Sequence, residues 1–502
     1  MPRREYVSFF SDGRGRRRDF AGFEGRPGIG RFLLPGVAIA AIAVSVWWFG
    51  FRNPNQDTGG VLTLEDATIP TLLLPAGSDT EDATDLSAGE LFECREIASA
   101  WEVFQATPSR HGCYSTNAIV TPRILWQTEI GVQGWLNNPV IADGAVFVGS
   151  AGEAQFTADR RDGIYSLSLS TGEQNWRYGT ELDVNGVAYA DGVVIATGDE
   201  GRVWGLNARD GESIWTADLG TPVYGNPLVV GGIVVVGDAS GRVTAFDPKA
   251  GTERWHAQLD GPVRGGASSD GTTVFVAGEN HEIAAFRLDD GTEVWRVKVA
   301  SQGRDAEQSR TFAAPTIVDD LVIIGFVRTD VYVEPALAAL DKATGAVRWR
   351  ASDVAGIKTA TWANVRSSPA VVGDYLVYGE AYSNALVAID IATGQTRFAV
   401  QEDTGIYCEA HWPSPAVING QAILARNDGG LYAIDLATEE VAWQIYIGNS
   451  ESTSGNFPPG FSSSECNTSH AILASPAVSP EGVIVVGTLE GFVVAIGDRA
   501  WG

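Results

Sequence analysis

The sequence predicts an all-β chain: an eight-bladed β-propeller of four-stranded blades, closed by an N-terminal strand and preceded by a single transmembrane helix. Three observations predict it. A small residue recurs eight times, and in seven copies an aromatic residue follows ten positions later: Ser166/Trp176, Gly205/Trp215, Ala245/Trp255, Ala285/Trp295, Ala339/Trp349, Ala388/Phe398 and Ala433/Trp443. For the eighth, Ala495, a partner ten positions on would fall past Gly502. The upstream segment Ile124-Leu125-Trp126-Gln127 has the aromatic pattern without a repeat of its own, so it supplies the missing strand and closes the ring. Finally, residues 32–51 are twenty residues without a charge, long enough to cross a bilayer as a helix.

From the N-terminus, residues 1–31 form a cytoplasmic tail with eight Arg against four acids (Glu5, Asp12, Asp19, Glu24), a net of +4. The positive flank stays inside, which puts the remainder outside the cytoplasmic membrane. Arg31 and Arg52 bracket the apolar run, and Trp47 and Trp48 anchor its outer end at the interface. A cleaved signal peptide is the rival reading. The segment Phe49-Gly50-Phe51-Arg52-Asn53-Pro54 lacks the small-residue site that cleavage needs, which favours an uncleaved anchor. Arg17-Arg18-Asp19-Phe20 matches only the core of a twin-arginine export signal. Residues 52–90 read as an acidic linker, since 53–100 hold ten acids and one Arg without periodicity.

Residues 91–119 read as a disulfide-linked cap with Cys94 and Cys113 near its ends. All four cysteines lie beyond the apolar run, in a compartment that permits disulfides. Cys408 lies seven residues before Pro415 and Cys466 ten before Pro476, in the same kind of loop of adjacent repeats, and these two are expected to pair. Cys408-x2-His411 and Cys466-x3-His470 also have the spacing of zinc ligands, so a metal is the alternative there.

Residues 120–502 carry the propeller. Each unit opens on a Ser-Pro-Ala-Val-like segment, as at Asn138-Pro139, Asn226-Pro227, Ala314-Pro315, Ser368-Pro369, Ser414-Pro415 and Ser475-Pro476. A β-branched strand follows, then the strand with the small residue, then a Thr-Gly turn into the strand with the Trp. The expected reason for the small residue is crowding around a narrow axis. The Trp is expected to bury its ring against the neighbouring unit.

The stretch Ala339-Leu340-Asp341-Lys342-Ala343-Thr344-Gly345-Ala346-Val347-Arg348-Trp349 resembles the tryptophan-docking repeat of the pyrroloquinoline-quinone (PQQ)-like propellers. The resemblance covers residues 101–497. Trp101-Glu102-Val103-Phe104 with Arg110-His111-Gly112 is similar to the lead-in of that family. It includes quinoprotein alcohol dehydrogenases and the non-enzymatic outer-membrane assembly protein BamB. The dehydrogenases imply PQQ with calcium, an adjacent Cys-Cys disulfide and a site of Glu, Asn and Asp. This chain has no adjacent cysteines, and none of its segments matches those positions. Asp199-Glu200-Gly201 and Asn427-Asp428-Gly429-Gly430 read as turns. The BamB-like, non-enzymatic branch, with no cofactor, is the expectation; a PQQ-dependent oxidoreductase with a divergent site is the alternative.

A net charge of −27 argues against nucleic acid as a partner of the main body. No nucleophile motif or His cluster is visible. The remaining functional signal is a column three positions before the Pro or its equivalent: Leu136, Val184, Tyr224, Arg264, Phe312, Arg366, Trp412 and Leu473. Tyr224, Arg264, Phe312, Arg366 and Trp412 are types enriched at binding hot spots. They open the innermost strands, so they are expected to converge at one mouth of the axial channel; packing as a plug is the plainer alternative. The chain is thus expected to be a membrane-anchored scaffold that binds an envelope protein or peptide.

Overall fold

The computed structural model describes residues 92–95, 100–134, 137–299, 310–326, 337–351, 365, 367–380, 385–401, 413–426, 428–447 and 471–498, with short backbone stretches at 11–12 and 16–17. Met1–Asp85 and Leu86–Gly502 are separate units. In the first, Ser11–Asp12 pairs antiparallel with Arg16–Arg17. The expected helix 32–51 lies outside the described residues, among which no helix is long and apolar enough to cross a membrane.

In the second unit eight sheets follow one another in chain order: blade 1 (140–179), blade 2 (184–218), blade 3 (228–258), blade 4 (263–298), blade 5 (316–351), blade 6 (370–401), blade 7 (416–446) and blade 8 (477–498 with Pro122–Glu129). Each is an antiparallel meander. Its first strand is mostly buried and its fourth mostly exposed, as Val184–Ala190 and Ser213–Asp218 show in blade 2. The first strands therefore line the axis and the fourth strands form the rim.

Ring closure follows the expected arithmetic. Pro122–Glu129 pairs with Phe492–Asp498, and Trp126 stands directly across from Ala495. The other seven pairs are also direct cross-strand partners, from Ser166 with Trp176 to Ala433 with Trp443. In every case the register shifts just after the small residue, a β-bulge that lets the aromatic ring fold back over it.

The reason for the small residue differs from the expected one. It lies on the third strand, away from the axis. A Cβ on Gly205 would sit 2.2 Å from the Trp215 ring, so the ring itself demands the space. Axial crowding is relieved elsewhere: a Cβ on Gly225 would meet the Gly266 backbone at 2.5 Å.

Six of the docked indoles staple two blades. Nε1 of Trp126, Trp176, Trp215, Trp255, Trp295 and Trp349 donates to a carbonyl in the next blade's third turn, at 2.8–2.9 Å. That turn holds a Gly at positive φ pressed against the ring, as Gly251 is against Trp215. Two blades depart from the pattern, each for a legible cause. Phe398 has no indole N–H, and the turn it faces has Glu439 in place of Gly, at φ 59°. Trp443 faces blade 8, whose third and fourth strands are not joined by a turn; among the described residues its Nε1 reaches only Gln421 of its own blade, at 3.4 Å. Asp498 stands in for the missing turn by accepting from the amides of Val120 and Thr121, at 2.6 and 3.3 Å.

The core is a series of apolar layers between adjacent blades; one joins blades 7, 8 and 1 to Trp101 and Tyr114 of the lead-in. Polar groups link the first strands around the axis. Ser368 N donates to Ser414 Oγ, Ser414 N to Ser475 Oγ, and Ser475 N to Asn138 Oδ1, at 2.9, 2.9 and 2.6 Å. These four precede Pro369, Pro415, Pro476 and Pro139, which explains Ser or Asn there; blade 5 has Ala314 at the same position.

Residues 101–117 form an irregular plug. Its carbonyls at Trp101, Glu102, Pro108, Ser109, His111 and Gly112 accept from first-strand amides of blades 1, 2, 4, 5, 6 and 7 in turn, at 2.7–2.9 Å. Thr116 Oγ1 donates to Pro480 O of blade 8 at 2.8 Å. Arg110 is fully buried at its centre and donates to the carbonyls of Phe104 and Ala267. Burial lowers its pKa to about 9. The expected Cys94–Cys113 disulfide is present. Cys408, Cys466, His411 and His470 lie outside the described residues.

Candidate functional site

In an antiparallel meander, the start of the first strand and the turn between strands two and three lie at one end of the blade. The plug meets the far end of the first strands: Pro108 O takes Ser269 N, the last residue of Val263–Ser269. Arg264, second in that strand, is near the other end. Arg264 therefore stands at the end of the blade opposite the plug.

At that end the structure brings Tyr224 and Arg264 together. The Arg264 guanidinium carbon lies 4.7 Å from the centre of the Tyr224 ring. Its Nε donates to Glu279 Oε2 at 2.7 Å, with Arg264 only 12% exposed and Glu279 15%. Arg310 Nε approaches the other oxygen of Glu279 at 3.2 Å. Phe312, two residues on, is buried. Val184, which opens Val184–Ala190, and Leu473, four residues before Ala477–Val478, are buried too. Leu136, Arg366 and Trp412 lie outside the described residues.

Sequence reasoning missed Glu279 and Arg310. Glu279 belongs to a turn between strands two and three, where no repeat pattern singles it out. Arg310 follows an insertion between blades. The only signal was positional, since both segments belong to the end of the blade where Arg264 begins its strand.

A second polar group stands beside this one. The loop 151–162 of blade 1 is pinned by carboxylates that accept its own amides. Asp183 Oδ2 takes Phe156 N and Asp162 Oδ2 takes Asp159 N, both at 2.8 Å. Burial pushes the Asp183 carboxyl up to about 8; the Phe156 amide opposes this, and Asp199, Asp162 and Asp159 add to it. The turn expected at Asp199-Glu200-Gly201 is present, and Asp199 accepts from Asn185 Nδ2 at 2.8 Å. Burial also raises the pKa of Asp199, and Arg264 opposes the rise. Asp428 turns its Oδ1 to Gly430 N and its Oδ2 to the Tyr432 hydroxyl, both at 2.8 Å. Among the described residues, no three His, Cys, Asp or Glu side chains converge on a point that would hold a metal ion.

The family model described as outer membrane protein assembly factor BamB matches residues 118–269 and 241–449. Among solved structures, BamB from Moraxella catarrhalis is similar at 16% identity and a TM-score of 0.55, covering 75% of this chain and 100% of that one. A europium-containing methanol dehydrogenase is similar at 16% identity and a TM-score of 0.58, covering 79% and 98%. The quinohemoprotein alcohol dehydrogenase from Comamonas testosteroni gives 13% identity and a TM-score of 0.57, covering 80% and 81%. Such low identities show the shared fold alone. Comparison with curated protein sequences returned no match. The family match spans well over half of the chain, and the chain belongs to the PQQ-like β-propeller family of the outer membrane protein assembly factor BamB.

Proposed function

We propose that this chain is a non-catalytic, protein-binding propeller, anchored by residues 32–51 and displayed outside the cytoplasmic membrane, where it binds an envelope protein or peptide during envelope assembly or maintenance. The observation that supports this best is the match to the BamB family model across residues 118–449. The mouth at Tyr224, Arg264 and Phe312 is the binding surface in this reading, with Arg366 and Trp412 from the same column. Rigid aromatic and guanidinium groups at one end of a stiff scaffold suit recognition, because little side-chain entropy is lost on binding.

The second reading, a PQQ-dependent oxidoreductase, is favoured by the likeness to the methanol and alcohol dehydrogenases. A quinone with its cation needs several carboxylate and amide oxygens turned toward one point. Glu279 is engaged with two guanidinium groups, and Asp428 with its own turn and Tyr432, so neither supports this reading.

The test uses the full chain in detergent or nanodiscs. Pull-down from solubilised envelope is expected to retain a defined protein, and the double variant Arg264→Ala/Trp412→Ala to lose it. Unchanged capture by that variant rules out the mouth as the binding surface. Dye reduction with added PQQ and calcium is expected to stay at background; turnover would overturn the scaffold reading.

A further inference from the structure

Two buried carboxyl groups meet where blade 1 joins blade 2, and each uses only half of its bonding capacity. Asp162 ends the 151–162 loop just before Gly163–Ser168, and Asp183 stands just before Val184–Ala190. They are 0% and 2% exposed. Each turns its Oδ2 to an amide of the loop, Asp159 N and Phe156 N, both at 2.8 Å. Those amides are three residues apart, so both carboxyls grip one short stretch of chain. In each, Oδ1 is buried and has no hydrogen-bond partner among the described residues. A buried acceptor without a donor is costly, and here two occur in one place.

The guanidinium groups nearby are spent elsewhere. Arg177 donates to the main-chain carbonyls of Arg160 and Asp162, and Arg264 gives its Nε to Glu279. The remaining charged neighbours are acids. Burial raises the Asp183 carboxyl to about 8 and the Asp162 carboxyl to about 6, and Asp199 and Asp159 add to both. Asp162 adds to the rise at Asp183 as well, so the two groups feel each other. Such a place favours a positive occupant.

We propose that Asp162 Oδ1 and Asp183 Oδ1 ligate one Ca2+ ion, with main-chain carbonyls and water completing its oxygen shell. The ion ties the loop of blade 1 to the first strand of blade 2. An all-oxygen set suits a hard cation. Carboxyls pinned by amides cannot rearrange into the regular octahedron that Mg2+ demands, whereas Ca2+ accepts six to eight oxygens in variable geometry. Two side-chain ligands rather than three agree with the lack of a three-carboxylate cluster among the described residues. They also place the site in the weak class, with a dissociation constant of about 0.1–1 mM.

The full chain in non-ionic detergent, stripped of divalent ions by a chelator and dialysed, tests this with CaCl2 and MgCl2 as probes. Calorimetry is expected to show one Ca2+ per chain, with Mg2+ at least tenfold weaker. Hydrogen exchange is expected to slow within 151–162 on adding Ca2+ and to stay unchanged in the rim strand Ser213–Asp218. Asp162→Asn and Asp183→Asn keep an acceptor for the loop amide, and each is expected to weaken Ca2+ binding at least tenfold. Glu212→Gln, at an exposed acid of the rim, is expected to bind Ca2+ as the parent does. Near-ultraviolet circular dichroism in chelator shows whether each variant is folded, and the exchange measurement on the parent needs no variant. No Ca2+ binding at about 10 mM, well above the expected range, leaves protons as the occupants and overturns the proposal. Unchanged exchange within 151–162 at saturating Ca2+ assigns the binding to surface carboxylates and also overturns it. Parent-like binding in both folded Asn variants does the same. Mg2+ binding as tight as Ca2+ overturns the choice of ion.

Discussion

Trp126 Nε1 donates to the Leu169 carbonyl at 2.8 Å, so the strand that completes blade 8 is also stapled to blade 1. Trp126 joins three things at once: the first blade, the last blade and the chain that enters between them. Trp126→Ala is expected to cost ~3–5 kcal/mol, in the range for removing a buried aromatic ring. Thermal unfolding followed by near-ultraviolet circular dichroism checks it against Trp215→Ala, an equivalent staple within continuous chain. The midpoint should fall at least as far for Trp126→Ala. Deletion of residues 120–130 should lower it further, because the whole ladder from Pro122 to Glu129 goes with it.

The docking turns give a prediction with opposite signs at equivalent places. Gly251 has φ 65°, and a Cβ there would sit 2.4 Å from the Trp215 ring. Gly251→Ala should therefore destabilise by ~2 kcal/mol or more, through strain and displacement of the ring. Glu439 holds the same left-handed conformation without being Gly. Glu439→Gly should stabilise by ~1 kcal/mol. Chemical denaturation midpoints of the two variants should move in opposite directions; movement the same way contradicts the turn geometry.

The buried carboxyl at Asp183 predicts a pH dependence with a definite sign. Its pKa is raised from 3.8 to about 8, so the folded chain holds a proton there that the unfolded chain releases. This contribution to stability is full below the unfolded value and is lost as the pH rises toward the folded one. Asp183→Asn keeps an acceptor for Phe156 N and removes the ionisation. Relative to the parent, the variant should gain ~1 kcal/mol or more between pH 5 and pH 8, a few degrees in midpoint. A difference that stays flat over that range refutes the assignment.

The Cys94–Cys113 disulfide closes a sequence separation of 19 residues around the plug. Cys94→Ala/Cys113→Ala should lower stability by ~3 kcal/mol, by the chain-entropy argument. Hydrogen exchange should show where: the amides of Val371 and Val417, which donate to His111 and Gly112, should lose protection before those of the outer strands.

The repeat was legible because one ring imposes three requirements at fixed spacing: a small residue across from it, a turn in the next blade and an indole donor. Eight aligned copies make such a pattern readable, and even its exceptions at Phe398 and Trp443 follow from neighbouring sequence. The plug was legible only as a cap with a disulfide. Its bonds run from carbonyls to amides of six different blades, and backbone groups leave no mark on residue choice. Half of the mouth was legible. Tyr224 and Arg264 stood out by type and column, whereas Glu279 and Arg310 came from segments outside any repeated position.

The plug also acts as a gauge. Its carbonyls step from blade to blade at intervals set by its own bends at Gln105, Ala106, Arg110 and Gly112, all at positive φ. A ring of seven or nine blades would present those amides at a different pitch, and the steps would miss. Growth by duplicating a blade, the usual freedom of a repeat architecture, is thereby penalised in this chain unless the lead-in lengthens with it. The segment with the least regular structure is the one that holds the count of the regular part.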